Sequence, residues 1–242
     1  MSRRYLPSVL GMAALLGGLL ALLPWSTPFF HALFPDLDRP VYTRASFVDL
    51  TVAHIELVLI ATTAAALIGV TGGILVTREG GKRLMPLLSA SAAIGQTFPP
   101  VAVLALTVPI LGYGSGATIV ALFVYALLPI IANTIAGLEG VDPDVRDAAD
   151  GMGFRPLRRL IQVELPLAAP VIMAGIRTSA IINVGTATLG STVGALSLGA
   201  PIIEGLSGSN TAFVVQGAIL VATLSMLVDR SLNLGTGKDR TS

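Results

Sequence analysis

The residues that could do chemistry in this chain of 242 residues are few, and their spacing excludes most catalytic mechanisms. Two glycine-lysine stretches, GGKR at residues 80–83 and GTGKD at residues 235–239, lack the spacing and the hydroxyl of a G-x-x-x-x-G-K-[ST] phosphate loop. The absence of cysteine excludes disulfides, thiolate nucleophiles and cysteine metal sites. With two histidines and a GLSGS stretch that only partly matches a nucleophile elbow, we predict no enzyme, no bound metal and no cofactor in this chain.

Charged side chains are concentrated in residues 140–166, which we call the charged loop. Nine of them lie there: Asp142, Asp144, Arg146, Asp147, Asp150, Arg155, Arg158, Arg159 and Glu164. Burying nine charges in lipid would cost more than about 20 kcal/mol, at roughly 2.5–3.5 kcal/mol for each charge at a helix centre. We therefore predict that the charged loop lies in the cytoplasm, between two apolar spans.

The charged loop has the start and stop residues of two short helices. Asp142 is suited to cap the first helix, Pro143 fits its first position, and Gly153 stands where a left-handed residue ends a helix. A second helix is predicted to start at Pro156 and to end near Pro166. The loop is therefore predicted to fold as helix, glycine, helix.

One side of the first predicted helix is apolar. Val145, Ala148, Ala149 and Met152 recur at helical spacing and form a single stripe. Two alanines at its centre would let another surface approach closely, so we predict a docking site for a cytoplasmic partner. The alternative is that the loop folds back on its own helices as a simple connector.

The rest of the chain is apolar enough to be an integral membrane protein. Mean hydropathy is +0.81 and only 12% of residues are charged, against about 25% in soluble domains. Six runs of about 20 residues or more are long enough to cross a membrane as helices. They are Leu6–Trp25, Leu50–Val76, Leu84–Ile110, Ala117–Gly137, Leu167–Ala195 and Thr211–Val228. We predict an all-α membrane protein with about six transmembrane helices and the charged loop between spans four and five.

Basic residues favour one orientation of these spans. With a cytoplasmic N-terminus, twelve of the fifteen basic residues lie on the cytoplasmic side, and only Arg39 and Arg44 lie outside. This asymmetry follows the positive-inside rule and places both termini in the cytoplasm. We predict a first helix with an outer loop over residues 1–49, a transmembrane domain over 50–230 and a cytoplasmic tail over 231–242. The net charge of +1 gives no indication of nucleic-acid binding.

The charged loop resembles the signature loop of permease subunits of ABC importers with the type I fold. That loop reads E-A-A, three residues, G, nine residues, I-x-L-P. Here Asp147, Ala148 and Ala149 precede Gly153, and nine residues later the chain reads VELP at residues 163–166. The stretches GLEGVDPDVRDAADGMGF and IGQTFPPVAVLAL resemble permeases of the glycine betaine, carnitine and choline subfamily of osmoprotectant importers.

The resemblance implies a transmembrane permease of an ATP-driven importer for a compatible solute in a prokaryotic inner membrane. Its partners would be two copies of an ATP-binding subunit that carries ATP and Mg, an external solute-binding protein and membrane lipid. A second permease subunit, which is either another copy of this chain or a relative of it, would also be present. The ATPase would dock on a set of charged-loop residues. These are Val145, Asp147, Ala148, Ala149, Met152, Gly153, Val163, Leu165 and Pro166.

A solute path is predicted from polar and small residues within the spans. Its candidates are Gln96, Thr97, Asn183, Thr186, Thr188 and Gly190. The fifth span carries small residues, among them Gly175, Ser179 and Gly190, at three- and four-residue spacing. Such spacing permits helices to approach closely, either in a sliding interface or in ordinary packing within one chain. His54 and Glu56, near the outer end of the second span, are predicted to be reached by water.

Other functions remain open from the residues alone. A permease of the same class could carry an amino acid or a betaine-like thione. A secondary transporter would use intramembrane carboxylates, but no acidic residue lies deeper in the predicted spans than Glu56, and no inverted repeat is apparent.

Overall fold

The structure is a computed structural model that describes residues 6–88, 90 and 97–236, with side chains described as far as residue 233. These residues form helices and contain no β-strand. The α-helices whose two ends lie within the described residues are α1 (Leu6–Leu22), α2 (Thr27–Leu33), α3 (Phe47–Thr77), α4 (Pro100–Leu111), α5 (Ser115–Glu139), α6 (Pro143–Gly151), α7 (Pro156–Arg159), α8 (Leu165–Thr186), α9 (Gly199–Ser207) and α10 (Thr211–Thr236). The all-α fold predicted from the sequence is confirmed.

Five helical segments within the described residues are long and apolar enough to cross a membrane. They are Leu6–Trp25, Phe47–Thr77, Ser115–Glu139, Pro156–Val193 and Thr211–Asn233. Each contains or overlaps one of the six predicted spans. The remaining one, Leu84–Ile110, contains Ser89 and residues 91–96, which lie outside the described residues, and α4 covers its end. The count of six spans stays a prediction.

The second helix of the charged loop does not end near Pro166, and that prediction is wrong. Helix α7 passes into a π-helical turn, Leu160–Glu164, and then directly into α8. The Leu165 N–H donates to the Leu160 carbonyl across this wider turn. Proline lacks an N–H and its ring crowds the carbonyl four residues earlier. A widened turn just before Pro166 gives the ring room, so the helix continues.

The contacts divide the chain into two compact units, and three helices change unit along their length. One unit comprises Thr62–Pro99 and Phe123–Ser179. Its core is built from α3, α5 and α8, where Ala65, Ala126 and Ile130 are buried together. Gly69 and Gly73 of α3 face Ile130 and Thr134 of α5, and a Cβ added at Gly73 would lie 2.6 Å from the Thr134 side chain. Small residues therefore set the close approach of α3 and α5.

The other unit comprises Met1–Ala61, Pro100–Leu122 and Ala180–Ser242. In it His54 is fully buried: its Nε2 lies 2.9 Å from the Val184 carbonyl, and its Nδ1 lies 3.3 Å from the Leu198 N–H. The prediction that water reaches His54 is therefore wrong, while Glu56 is exposed as expected. Periodicity places both on one helix but does not reveal which side packs. His54 ties α3 to the end of α8 and to the start of α9.

Candidate functional site

The first helix of the charged loop begins and ends as its sequence predicts. The Asp142 side chain accepts a hydrogen bond from the Asp144 N–H at 2.9 Å, and Pro143 is the first residue of α6. Gly153 has a φ of +79°, and the Phe154 N–H donates back to the Ala149 carbonyl at 3.1 Å. Both ends of this nine-residue helix are therefore fixed by hydrogen bonds.

The apolar stripe of α6 does not form one exposed surface. Ala149 is 1% exposed, whereas Val145 is 39% and Met152 is 69% exposed, and Ala148 is exposed as well. Ala149 therefore packs against the rest of its own chain, and its contact with a partner stays a prediction. Spacing alone could not separate the side of a short helix that anchors it from the side that it presents.

Exposed apolar side chains continue beyond α6. Leu157 and Ile161 are 67% and 55% exposed. Of the remaining predicted docking residues, Asp147, Gly153 and Pro166 are exposed, while Val163 and Leu165 are half-buried. Leu165 packs with Leu160 on a core cluster built around Leu138, Ala168 and Ile172. The charged loop thus combines an anchored inner side with an apolar outer side.

A buried carboxylate joins the charged loop to the end of α3. Glu164 is 1% exposed and forms ion pairs with Arg78 at 2.6 Å and with Arg159 at 2.9 Å. Arg159 also pairs with Asp150 of α6, and Arg146 donates to the Leu138 carbonyl at the end of α5. A chain of charges therefore runs from α6 through Arg159 and Glu164 to Arg78, which follows α3.

This network lines a polar cavity of about 860 Å³. Four basic and four acidic side chains line it, namely Arg78, Lys82, Arg146, Arg159, Glu79, Glu139, Asp150 and Glu164. The charges balance, so the cavity does not favour an anion or a cation overall. The sequence predicts a cytoplasmic position for six of these charges, all but Glu79 and Glu139. It does not predict the burial of Glu164, because its partner Arg78 is distant along the chain.

The predicted solute-path residues differ in burial. Asn183 and Gly190 are buried, Thr186 and Thr188 are half-buried, and Thr97 is exposed. Gln96 lies outside the described residues. The path therefore stays a prediction.

Small residues of the fifth predicted span pack within the chain. A Cβ added at Gly175 would lie 2.6 Å from the Asn133 Cβ, and the Ser179 hydroxyl donates to the Ala126 carbonyl at 2.8 Å. In the other unit, a Cβ added at Gly190 would lie 2.5 Å from the Thr118 Cγ2. Of the two interpretations of this spacing, these contacts support packing against α5.

Comparisons with known proteins identify a family and several relatives of this chain. The family described as binding-protein-dependent transport system inner membrane component matches residues 69–234. The choline transport system permease protein OpuBB of Bacillus subtilis (strain 168) is 40% identical over 190 residues, which cover 78% of this chain and 86% of that protein. The osmoprotectant import permease protein OsmY of Salmonella typhimurium is 37% identical over 227 residues, which cover 94% of this chain and 93% of that protein.

Among solved structures, the inward-facing MetNI methionine ABC transporter has a chain with the same fold. It superposes with a TM-score of 0.67 at 24% identity, over 75% of this chain and 90% of that chain. At this identity the likeness shows the fold alone.

Proposed function

The chain belongs to the family of binding-protein-dependent transport system inner membrane components, and from this premise we propose that it is the permease subunit of an ATP-driven importer for a quaternary ammonium solute. It is a multi-pass protein of the inner membrane, with several helices long and apolar enough to span it. Glycine betaine, choline and carnitine are the expected solutes, since relatives are named for their transport.

ATP hydrolysis belongs to a separate subunit in this proposal. The two glycine-lysine stretches of this chain lack the phosphate-loop spacing, so ATP and Mg would be bound by two copies of a partner. A second permease subunit would complete the path, and an external binding protein would deliver the solute. Both termini and the charged loop would face the cytoplasm.

The observation that carries the proposal is that one side of the charged loop is exposed and apolar, while the other side is anchored to the rest of the chain. Its outer side presents Val145, Ala148 and Met152 on a helix with fixed ends, as a docking surface for the ATPase. Its inner side is anchored through Ala149 and through the ion pairs of Glu164.

A displacement of α6 would therefore pull on other helices. Asp150 is paired with Arg159, which shares Glu164 with Arg78 at the end of α3. Closure of the ATPase pair would move α6, and this chain of charges would pass the movement to α3 and α8. Packed elements that move as rigid bodies are a common means of such switching.

Uptake by proteoliposomes tests the proposal. The complete assembly is expected to accumulate labelled glycine betaine only with internal ATP, and excess choline or carnitine should compete more strongly than methionine. Ala148→Glu should abolish ATPase co-purification and uptake, because a charge would enter the apolar contact. Arg83→Glu, at an exposed position after α3, is the matched charge-changing control and should retain both.

Two outcomes would contradict the proposal. Uptake driven by an ion gradient without ATP would indicate a secondary transporter. Normal ATPase yield with Ala148→Glu and also with Met152→Glu would remove the charged loop as the docking surface.

A further inference from the structure

A cavity of about 420 Å³ lies beside the segment that precedes α3, and the docking role of the charged loop does not use it. Tyr42, Arg44 and Glu204 line it, together with the aliphatic side chains of Ala195 and Ile203. Its volume lies within the range of about 300–1,000 Å³ that is typical of small-molecule sites. One cation, one anion and one aromatic ring therefore face a single small space.

The two charges in this cavity form an ion pair that solvent can open. The Arg44 Nε lies 2.9 Å from the Glu204 Oε1, and the two side chains are 76% and 27% exposed. Exposed ion pairs contribute little to stability. A ligand that bears both charges could therefore separate the pair and satisfy each member at small cost.

The aromatic wall of the cavity is held rigidly. Tyr42 is 6% exposed, and its ring packs edge to face on Phe213 with centroids 5.5 Å apart. Burial, and then the negative charge of Glu204, raise the pKa of Tyr42, so its hydroxyl stays neutral. The Tyr42 N–H donates to the Gln216 Oε1 at 3.1 Å, and the Gln216 amide donates to the Pro40 carbonyl at 2.6 Å. Buried Gln216 therefore fixes the Tyr42 segment on α10.

Helix α9, which carries Glu204, is closely packed as well. A Cβ added at Gly199 would lie 1.9 Å from the Thr188 carbonyl oxygen, so the start of α9 is pressed against the backbone after α8. A Cβ added at Gly217 would lie 2.6 Å from the Ile202 side chain, which shows how closely α9 packs on α10. Glu204 is thus presented from a fixed helix. A site that exists before its ligand arrives loses less entropy on binding.

We propose that this cavity is a solute-binding site for a small zwitterion that carries a quaternary ammonium group and a carboxylate. Glu204 faces the ammonium, Arg44 binds the carboxylate, and Tyr42 supplies an aromatic wall, as quaternary ammonium groups prefer. The inference rests on the proposed function, which supplies the solute class. Arg44 precedes the first residue of α3 and Arg78 follows its last, so a cytoplasmic Arg78 places this site on the outer side, where solute arrives.

Three probes separate the contributions of the two charges. Glycine betaine carries both, choline carries only the ammonium, and tert-butylacetate is the betaine isostere with carbon in place of nitrogen, so it carries only the carboxylate. Binding is measured by saturation-transfer NMR on the permease assembled with its ATPase in lipid nanodiscs, without the binding protein. Glu56→Gln, at an exposed position of α3, is the matched control for Glu204→Gln.

The two cavity variants are expected to weaken different single-charge probes, and both should weaken glycine betaine. Glu204→Gln should weaken glycine betaine and choline about tenfold or more. It should not weaken tert-butylacetate and should tighten it if anything, because Arg44 is released from its ion pair. Arg44→Gln should weaken glycine betaine and tert-butylacetate but not choline, which should bind as well or more tightly because Glu204 is released from its ion pair. Glu56→Gln should alter none of the three. Misfolding would lower the binding of every probe together, so it cannot produce this pattern.

The site and the proposed function can fail separately. If wild type does not bind glycine betaine, or if both cavity variants bind it as wild type does, the site is overturned even though ATP-driven uptake persists. If the variants lower uptake only with the binding protein and solute affinity is unchanged, the cavity is a contact for that protein and the site is also overturned. The proposed function itself fails if the complete wild-type assembly takes up no quaternary ammonium compound or takes it up without ATP.

Discussion

Glu164 is the charged-loop residue whose loss should cost the most stability. Glu164→Ala would leave Arg78 and Arg159 facing each other without their shared counter-ion. Removing one partner of a buried ion pair typically costs about 3–5 kcal/mol. Because both arginine side chains are partly exposed, at 30% and 22%, we expect the lower end of that range.

Thermal unfolding of the purified chain in one detergent measures this effect. Glu139→Ala is the matched control, since Glu139 lines the same cavity but is exposed. A clearly lower unfolding temperature for the Glu164 variant alone is the expected result. Equal temperatures for the two variants would contradict the assigned ion pairs.

Alanine substitutions at two glycines near the end of α6 should change the stability of the chain in opposite directions. Gly153 has a φ of +79°, where a side chain costs roughly 1–2 kcal/mol, so Gly153→Ala should destabilise the chain. Gly151 is the last residue of the helix and has open space around its Cβ position. Gly151→Ala should therefore stabilise it, by up to about 1 kcal/mol.

Unfolding temperatures of the two variants, measured side by side, check this pair. Each variant adds the same methyl group to the same loop, so composition and bulk cannot account for a difference. A lower temperature for Gly151→Ala than for Gly153→Ala would show that α6 does not end as described.

At this scale the sequence predicts what local chemistry determines. Asp142, Pro143 and Gly153 act through neighbours within a few residues, and all three do what their types indicate. The burial of Glu164 and Ala149 depends on segments distant along the chain, which no local pattern contains. The same holds for His54, whose two partners lie on other elements.

At the scale of elements, the glycines of α8 distinguish packed from open faces. Gly175 faces Asn133 of α5, where an added Cβ would clash at 2.6 Å, whereas nothing lies within 4 Å of a Cβ at Gly185. Gly175→Ala should therefore destabilise the chain by about 1–3 kcal/mol through overpacking. Gly185→Ala should be neutral or slightly stabilising, because alanine is the better helix former.

For both glycine variants, two quantities are measured: the unfolding temperature of the isolated chain and the size of the permease assembly. A stable Gly185 variant that no longer assembles would mark the open face of α8 as a contact with the second permease subunit. Equal loss of stability in the two variants would contradict the packing of α8 on α5.

The sequence predicts that the long apolar helices exist, whereas it predicts only some of the helix ends. Apolar length predicts α3, α5, α8 and α10, because covering about 30 Å of hydrocarbon requires about 20 apolar residues. Pro166 predicts an end that does not occur, since the π-helical turn before it removes the steric conflict. A proline thus limits the local hydrogen bonding of a helix without deciding whether the helix continues.

At the scale of the whole molecule, composition indicates a membrane protein, and the distribution of charges predicts its orientation. The low charged fraction is incompatible with a soluble core, and the all-helical structure with its apolar spans agrees. The cavity beside Tyr42 could not be foreseen, because Tyr42, Arg44 and Glu204 come together only when the segment before α3 packs beside α9 and α10. Its function depends on its facing the outside.

Orientation can be measured directly because the natural chain has no cysteine. Single replacements by cysteine at Ala148, in the charged loop, and at Thr43, before α3, place one exposed thiol on each predicted side. In intact cells a membrane-impermeant maleimide should label Thr43→Cys alone, and in inverted vesicles it should label Ala148→Cys alone. Arg83→Cys, after α3, should behave as Ala148→Cys does, since a helix of 31 residues separates it from Thr43. Labelling of Ala148→Cys from outside intact cells would place the charged loop on the wrong side for an ATPase and would overturn the docking role and the outer solute site together.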